Sequence, residues 1–301
     1  MDNNPFDALL RAKVSASTTD GVKSSDIPVD RTRDLWFRLF VPLSTNNESS
    51  LPIVIYFHGG GFAVGSPDTA LFDAFTRSLV KELPAVVVSV NYRLTPDHRF
   101  PTQYEDGLEV IKFIDNRIGN GDGWLLPPEA DIRRWFLAGD SAGGNIAHHV
   151  AVRCAGAGFR VVRIKGILSY QPFFGGQERT ESELRLMSTP TLTVAMSDWL
   201  WEAFLPEGSD RDHPAVNVFG PRGREDELSG VEYPATLLVV GGMDPLQDWQ
   251  RRFGAGLVRS SKEVRLVEYP NAMHGFYLMG PELPECGMFM NEARNFIRQR
   301  S

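Results

Sequence analysis

At 301 residues the chain can hold one large domain or two small ones, and its net charge of −7 argues against nucleic acid or an anionic membrane surface as a partner. No apolar run approaches the roughly 18 residues that span a bilayer. Two cysteines, Cys154 and Cys286, are too few for a disulfide framework and have no metal-site company, so no metal and no cofactor is expected.

The N-terminus, Met1-Asp2-Asn3-Asn4-Pro5, has neither a positive flank nor an apolar stretch, so no signal peptide and a cytoplasmic location are expected. Leu51–Phe57 is a continuous apolar run, the pattern of a buried strand. It leads into His58-Gly59-Gly60-Gly61-Phe62, where side-chain-free residues let backbone N–H groups approach a developing oxyanion. Gly60 and Gly61 are the expected donors, joined by Ala142 and, less directly, Gly59. A helix over Thr69–Lys81 follows from Leu71, Phe72, Phe75, Leu79 and Val80 at helical spacing, and another is expected over Gln103–Arg117.

Trp135-Phe136-Leu137-Ala138 reads as a short buried strand, and Ala142–Ala155 as a helix. Between them lies Gly139-Asp140-Ser141-Ala142-Gly143. A serine at such a junction is held on a sharp turn at the end of a sheet, with the helix N-terminus directing N–H groups toward it. The pentapeptide alone is a weak signal; the upstream glycine loop makes it a nucleophile elbow and points to acyl transfer. Residues 175–232 lack convincing strands and are charged, the mark of an inserted helical cap. The amphipathic helix Met196–Leu205 within them carries Trp199, Leu200, Trp201, Phe204 and Leu205, either as walls of a substrate cavity or as the cap's own core.

Ala235–Val240 reads as a strand ending in Gly241-Gly242-Met243-Asp244, followed by a helix over Leu246–Val258. Val264–Tyr269 reads as the next strand, ending in Pro270-Asn271-Ala272-Met273-His274, with a last helix over Met288–Arg298. Each strand delivers one polar side chain past its carboxyl end, and the order Ser…Asp…His suits Ser141 as nucleophile, Asp244 as orienting acid and His274 as base. Asp248 is a near rival, better suited to the start of a helix. Of the other histidines, His58 braces the glycine loop, His98 lies in a turn, His148 and His149 are too far along their helix, and His213 sits in an irregular stretch.

Together the segments His58-Gly-Gly-Gly-Phe-Ala63, Ser89-Val-Asn-Tyr-Arg-Leu94, Gly139-Asp-Ser-Ala-Gly-Gly-Asn-Ile-Ala-His148, Gln171-Pro-Phe-Phe-Gly-Gly176, Gly242-Met-Asp-Pro-Leu-Gln-Asp248 and His274-Gly-Phe-Tyr277 run along nearly the whole chain. In them the chain resembles the plant carboxylesterases of the hormone-sensitive-lipase group, within the α/β-hydrolase superfamily. The resemblance implies an α/β-hydrolase fold, with a mainly parallel sheet flanked by helices and a helical cap. It further implies a Ser141–Asp244–His274 triad, an oxyanion hole from the His58–Gly61 loop, and hydrolysis of carboxylic esters with short to medium acyl groups. Gibberellin receptors look like relatives that kept this fold and lost the histidine; this chain keeps His274. Relatives carry a longer stretch before the segment matching Asp20-Gly-Val-Lys-Ser24, so a shortened N-terminal cap element is expected over residues 1–24.

No composition break divides the chain, so one domain over residues 1–301 is expected. The expected activity is that of a serine carboxylesterase acting on a small-molecule ester, as a monomer or weak homodimer without nucleic-acid or membrane partners. The alternatives are a non-catalytic, hormone-like receptor on the same fold, and an acyltransferase or cyclase using the same serine. Phe62, Phe173, Phe174, Trp199, Phe276 and Tyr277 are the candidate pocket residues; the competing role is packing of the loops beneath the site.

Overall fold

The computed structural model describes residues 20–43, 50–123, 125–223, 228, 230–280 and 282–300. Its strands are β1 (Val22–Asp30), β2 (Leu35–Pro42), β3 (Leu51–Phe57), β4 (Val86–Asn91), β5 (Ala130–Asp140), β6 (Ile164–Tyr170), β7 (Ala235–Met243) and β8 (Val264–Met273). The helices are α1 (Ala70–Glu82), α2 (Thr102–Gly119), α3 (Ala142–Ala155), α4 (Glu181–Arg185), α5 (Val194–Phe204), α6 (Gln247–Arg259) and α7 (Pro284–Arg298). One eight-stranded sheet runs in the order β1-β2-β4-β3-β5-β6-β7-β8. From β4 to β8 every pairing is parallel, whereas β2 is antiparallel to both β1 and β4.

Burial follows from this order. Every residue of β3 is buried, as a central strand covered on both faces requires, while edge strand β1 starts with alternating buried and exposed positions. Successive side chains of β3 serve two different cores. Ile53, Ile55 and Phe57 pack with Val110, Ile111 and Ile114 of α2 and Ile146 and Val150 of α3. Val54 and Tyr56 pack on the other face with Leu79 and Val80 of α1 and Phe289, Phe296 and Ile297 of α7. A third cluster joins Leu238 and Val240 of β7 to Trp249, Phe253 and Leu257 of α6.

Because β3, β5, β6, β7 and β8 are parallel neighbours, their carboxyl ends lie along one edge. The loops that follow bring together residues 58–61, 141–145, 171–176, 244–248 and 274–277.

The expected helices are present with small shifts at their ends; the last starts at Pro284 rather than Met288, with proline in the first turn where its missing N–H is harmless. The strand expected at residues 135–138 extends over Ala130–Asp140. The hairpin of β1 and β2 was not anticipated. It places residues 22–24 in the sheet rather than in a cap, and the rest of the expected 1–24 element, residues 1–19, lies outside the described residues. Between β6 and β7, the described part of 175–232 holds α4, α5 and irregular chain, with an isolated bridge between Ser188 and Thr193.

Phe136 is fully buried beside Phe296, whereas Trp199 is 54% exposed. Phe136→Ala should therefore destabilise the fold by about 3–5 kcal/mol. Trp199→Ala should stay within about 0.5 kcal/mol. Denaturant unfolding of both variants checks this contrast.

Candidate active site

Ser141 sits between the last residue of β5 and the first of α3 with φ 52° and ψ −117°, a left-handed conformation that a residue with a Cβ adopts only under constraint. The constraint is close backbone contact. A Cβ on Gly139 would overlap the Gly143 carbonyl, and one on Gly143 would overlap the carbonyl oxygen of Phe57 at the end of β3. The turn is also bonded to the neighbouring strand: Ser141 N–H donates to Tyr170 O at 2.9 Å, and Phe173 N–H donates to Ser141 O at 2.8 Å. One turn into α3, Asn145 Nδ2 donates to the carbonyls of Phe173 and Ala215, while its Oδ1 accepts from Tyr104.

His274 lies with Nε2 2.9 Å from Ser141 Oγ and Nδ1 2.8 Å from Asp244 Oδ2. A carboxylate facing Nδ1 calls for the proton there, which leaves a lone pair on Nε2 to accept the serine hydroxyl. Asp244 is fully buried and held from two sides: Leu246 N–H donates to Oδ1 and Gln250 Nε2 to Oδ2, each at 2.9 Å. Burial works against the charged imidazolium of His274, but the adjacent Asp244, with a further contribution from Asp140, outweighs it and leaves His274 above the ordinary histidine range.

Gln171 holds the histidine loop in place. Its Oε1 accepts Gly275 N–H at 2.8 Å and its Nε2 donates to Met273 O, bracketing His274 on both sides. Neither this clamp nor the Gln250 and Asn145 contacts were anticipated as parts of the site. The position of Gln171 just past the end of β6 was the available signal. Asp248 is placed as expected, in the first turn of α6, accepting Ser182 N–H and pairing with Arg251.

In the glycine loop, Gly60 and Gly61 have φ of 95° and 62°, and Gly60 O accepts the N–H groups of Ala63 and Val64. His58 is buried and stacked on Tyr92, whose hydroxyl donates to His58 O; burial pulls the imidazole down to about 4, so it braces the loop as a neutral ring. Gly59 lies against the Asp140 side chain, whose Oδ2 occupies the space a Cβ on Gly59 would need. Among the described residues no acceptor is found for the Gly60, Gly61 and Ala142 N–H groups.

Five of the six aromatic pocket candidates are buried. Phe62, on which not even a water molecule can rest, stacks on Phe204 at 3.9 Å, and Phe173 stacks on Trp201 at 3.9 Å. Phe174 stacks on Phe253 and borders a separate cavity of about 420 Å³ together with Trp249 and Phe219. Phe276 and Tyr277 are buried against Phe289. Only Trp199 is exposed. Helix α5 thus turns Leu200, Trp201 and Phe204 down onto the glycine loop, with Leu200 filling the place where a Gly61 side chain would project. His148 and His149 lie away from Ser141, bonded to Tyr233 and to the Ala215 carbonyl. Among the described residues no helix is long and apolar enough to cross a membrane.

The family model for the alpha/beta hydrolase fold matches residues 54–278. The chain is 41% identical to the gibberellin receptor GID1C of Arabidopsis thaliana, over 95% of this chain and 84% of the receptor. It is 35% identical to carboxylesterase 20 of the same plant, over 98% and 94% of the two chains. Among solved structures, an esterase from Pyrobaculum calidifontis superposes with a TM-score of 0.76 at 28% identity, covering 92% of this chain and 85% of that one. With a sheet, elbow and loop arrangement of this kind and matches of this extent, the chain belongs to the alpha/beta hydrolase fold family, among the plant carboxylesterases and gibberellin receptors.

Proposed function

We propose that the protein is a serine carboxylesterase that hydrolyses small-molecule esters with short to medium acyl groups through an acyl-enzyme on Ser141. The observation that carries this reading is the continuous hydrogen-bonded chain Ser141 Oγ–His274 Nε2, His274 Nδ1–Asp244 Oδ2. Ser141 Oγ attacks the ester carbonyl carbon while His274 Nε2 takes its proton, and Asp244 holds the resulting imidazolium. The carbonyl oxygen, now negative, is met by the N–H groups of Gly60, Gly61 and Ala142. As the intermediate collapses, the C–O bond to the alcohol breaks and His274 returns the proton to the leaving oxygen. A water molecule, deprotonated by His274, then attacks the acyl carbon and releases the acid with Ser141 restored. Two cysteines without a disulfide between them support a reducing compartment such as the cytoplasm.

The second reading is a receptor that binds without turnover, favoured by the 41% identity to a gibberellin receptor. A non-catalytic binding site has no need of an oriented and buried acid behind the imidazole, and that arrangement favours the esterase. The two are separable by His274→Val, which removes the base with a smaller side chain. Ester turnover should fall by about 10⁴-fold, while a non-hydrolysable ester analogue should bind within a few-fold of wild type by calorimetry. A wild-type protein that hydrolyses nothing in a broad panel of p-nitrophenyl esters yet binds a small apolar acid tightly would establish the receptor instead.

Ser141→Ala should lower kcat by roughly 10⁴-fold or more with the fold retained, and an organophosphate should label Ser141 alone. Mass spectrometry of the labelled peptide decides the second point. In the wild type the base must be neutral to act, and its surroundings favour the protonated form. kcat/KM should therefore rise with pH along an acid limb centred above the ordinary histidine value of about 6.5. A pH–rate profile with its midpoint below that value would contradict the described environment of His274.

A further inference from the structure

An elbow of the form Gly-x-Ser-x-Gly leaves the residue before the serine chemically unspecified. Here it is Asp140, whose side chain is buried directly beneath the site. Burying a carboxylate costs several kcal/mol unless its oxygens are met by donors. The contacts of Asp140 come from both loops that flank Ser141. Tyr56 at the end of β3 donates to Oδ1 at 2.5 Å, Gly59 of the glycine loop packs directly against Oδ2, and Tyr277, three residues after His274, reaches Oδ2 at 3.5 Å. One carboxylate therefore touches the oxyanion loop and the histidine loop while being covalently next to the nucleophile. The triad and the Gly60, Gly61 and Ala142 amides do not by themselves require it.

Building on the esterase reading, we infer that Asp140 is a positioning residue of the site: it packs the glycine loop against the elbow at Gly59, and its buried charge supports the imidazolium that His274 becomes in the reaction.

The groups facing Asp140 make the electrostatic part specific. They are Tyr56 and Gly59 from β3 and the loop after it, Tyr92 after β4, Tyr170 on β6, and His274 and Tyr277 after β8, with Asp244 behind His274. Tyr56, Tyr92, Tyr170 and Tyr277 are all held neutral by burial, and the nearby negative charge reinforces this. His58 is neutral as described above. That leaves His274 as the group that gains positive charge beside Asp140. Burial also pushes Asp140 itself up to about 6, against the pull of Tyr56, His274 and Gly59, so it changes charge in the range where the base is tested. The acid limb of the reaction then belongs to an interacting Asp140–His274 pair rather than to His274 alone.

The decisive variant is Asp140→Asn, which keeps the shape and removes the charge at every pH. Without the anion His274 is less basic, so the acid limb of kcat/KM should move to lower pH by about half to one unit. Plateau kcat should fall about tenfold, with KM within about twofold of wild type, because the glycine loop and the imidazolium matter most in the transition state. The His274 imidazole titration, followed by NMR in Ser141→Ala and Ser141→Ala/Asp140→Asn proteins, gives the same shift without any turnover. Tyr56→Phe, which removes a donor but leaves the charge, should move that midpoint much less than Asp140→Asn does. In the wild type, the His274 titration should show a second inflection where the Asp140 carboxyl resonance moves, a test that survives poor folding of the variant. An unchanged His274 midpoint in the asparagine protein, or no second inflection in the wild type, overturns the inference and leaves Asp140 a structural tie. Normal ester hydrolysis by Ser141→Ala would instead overturn the esterase reading, with the His274 titration still deciding the role of Asp140.

Discussion

The contact between Gly143 and the carbonyl oxygen of Phe57 is the constraint around which this molecule is arranged. No side chain fits between the start of α3 and the end of β3, and none fits between Gly139 and the Gly143 carbonyl. With both gaps closed, the chain passes from β5 into α3 only through the left-handed conformation of Ser141. That single residue then fixes much else. Its N–H is bonded to Tyr170 on β6, its carbonyl receives Phe173 N–H, and its hydroxyl meets His274 after β8. Strain at one residue is held by bonds from three neighbouring segments, so the position of Ser141 is set by the sheet rather than by its own loop.

The same economy of space explains why the aromatic residues around the site are mostly structural. Phe62 and Phe173 follow glycine-containing or elbow-bonded segments that have to be rigid to keep backbone N–H groups aimed at one point. Stacking on Phe204 and Trp201 supplies that rigidity from the segment between β6 and β7. Helix α5 thereby becomes part of the support for the glycine loop, and Leu200 presses on Gly61. Several close neighbours of Ser141 and the glycine loop thus pack against other side chains and hold the loop backbone in place.

Electrostatics in the site are likewise shared between loops. His274 sits between two buried carboxylates, one facing Nδ1 and one beneath the elbow, and is kept basic by both against the effect of burial. The histidines along α3 experience the reverse. His148 is pulled down to about 3 by burial, aided by Arg153, and remains a neutral packing residue. Identical side chains are thus pushed in opposite directions by whether an anion faces them.

Much of this was legible in the chain because local physics demanded it. The continuous apolar run of Leu51–Phe57 is what a strand buried on both faces looks like, and the glycines at 139 and 143 announce a turn that no other residue tolerates. Ser141, Asp244 and His274 stood out because each follows a strand by a short loop, and a parallel sheet brings such loops to one edge, where the three are hydrogen-bonded in a row. The edge hairpin of β1 and β2 was less visible, since a half-exposed strand has no continuous apolar run. Tertiary structure alone decided what depends on distance between remote segments. It packed Gly59 against Asp140, placed Gln171 as the clamp on both sides of His274, and stacked Phe62 and Phe173 on α5. Sequence sets which backbone turns and burial patterns are affordable residue by residue, whereas the partner of a given N–H or ring is chosen only when strands far apart in the chain become neighbours.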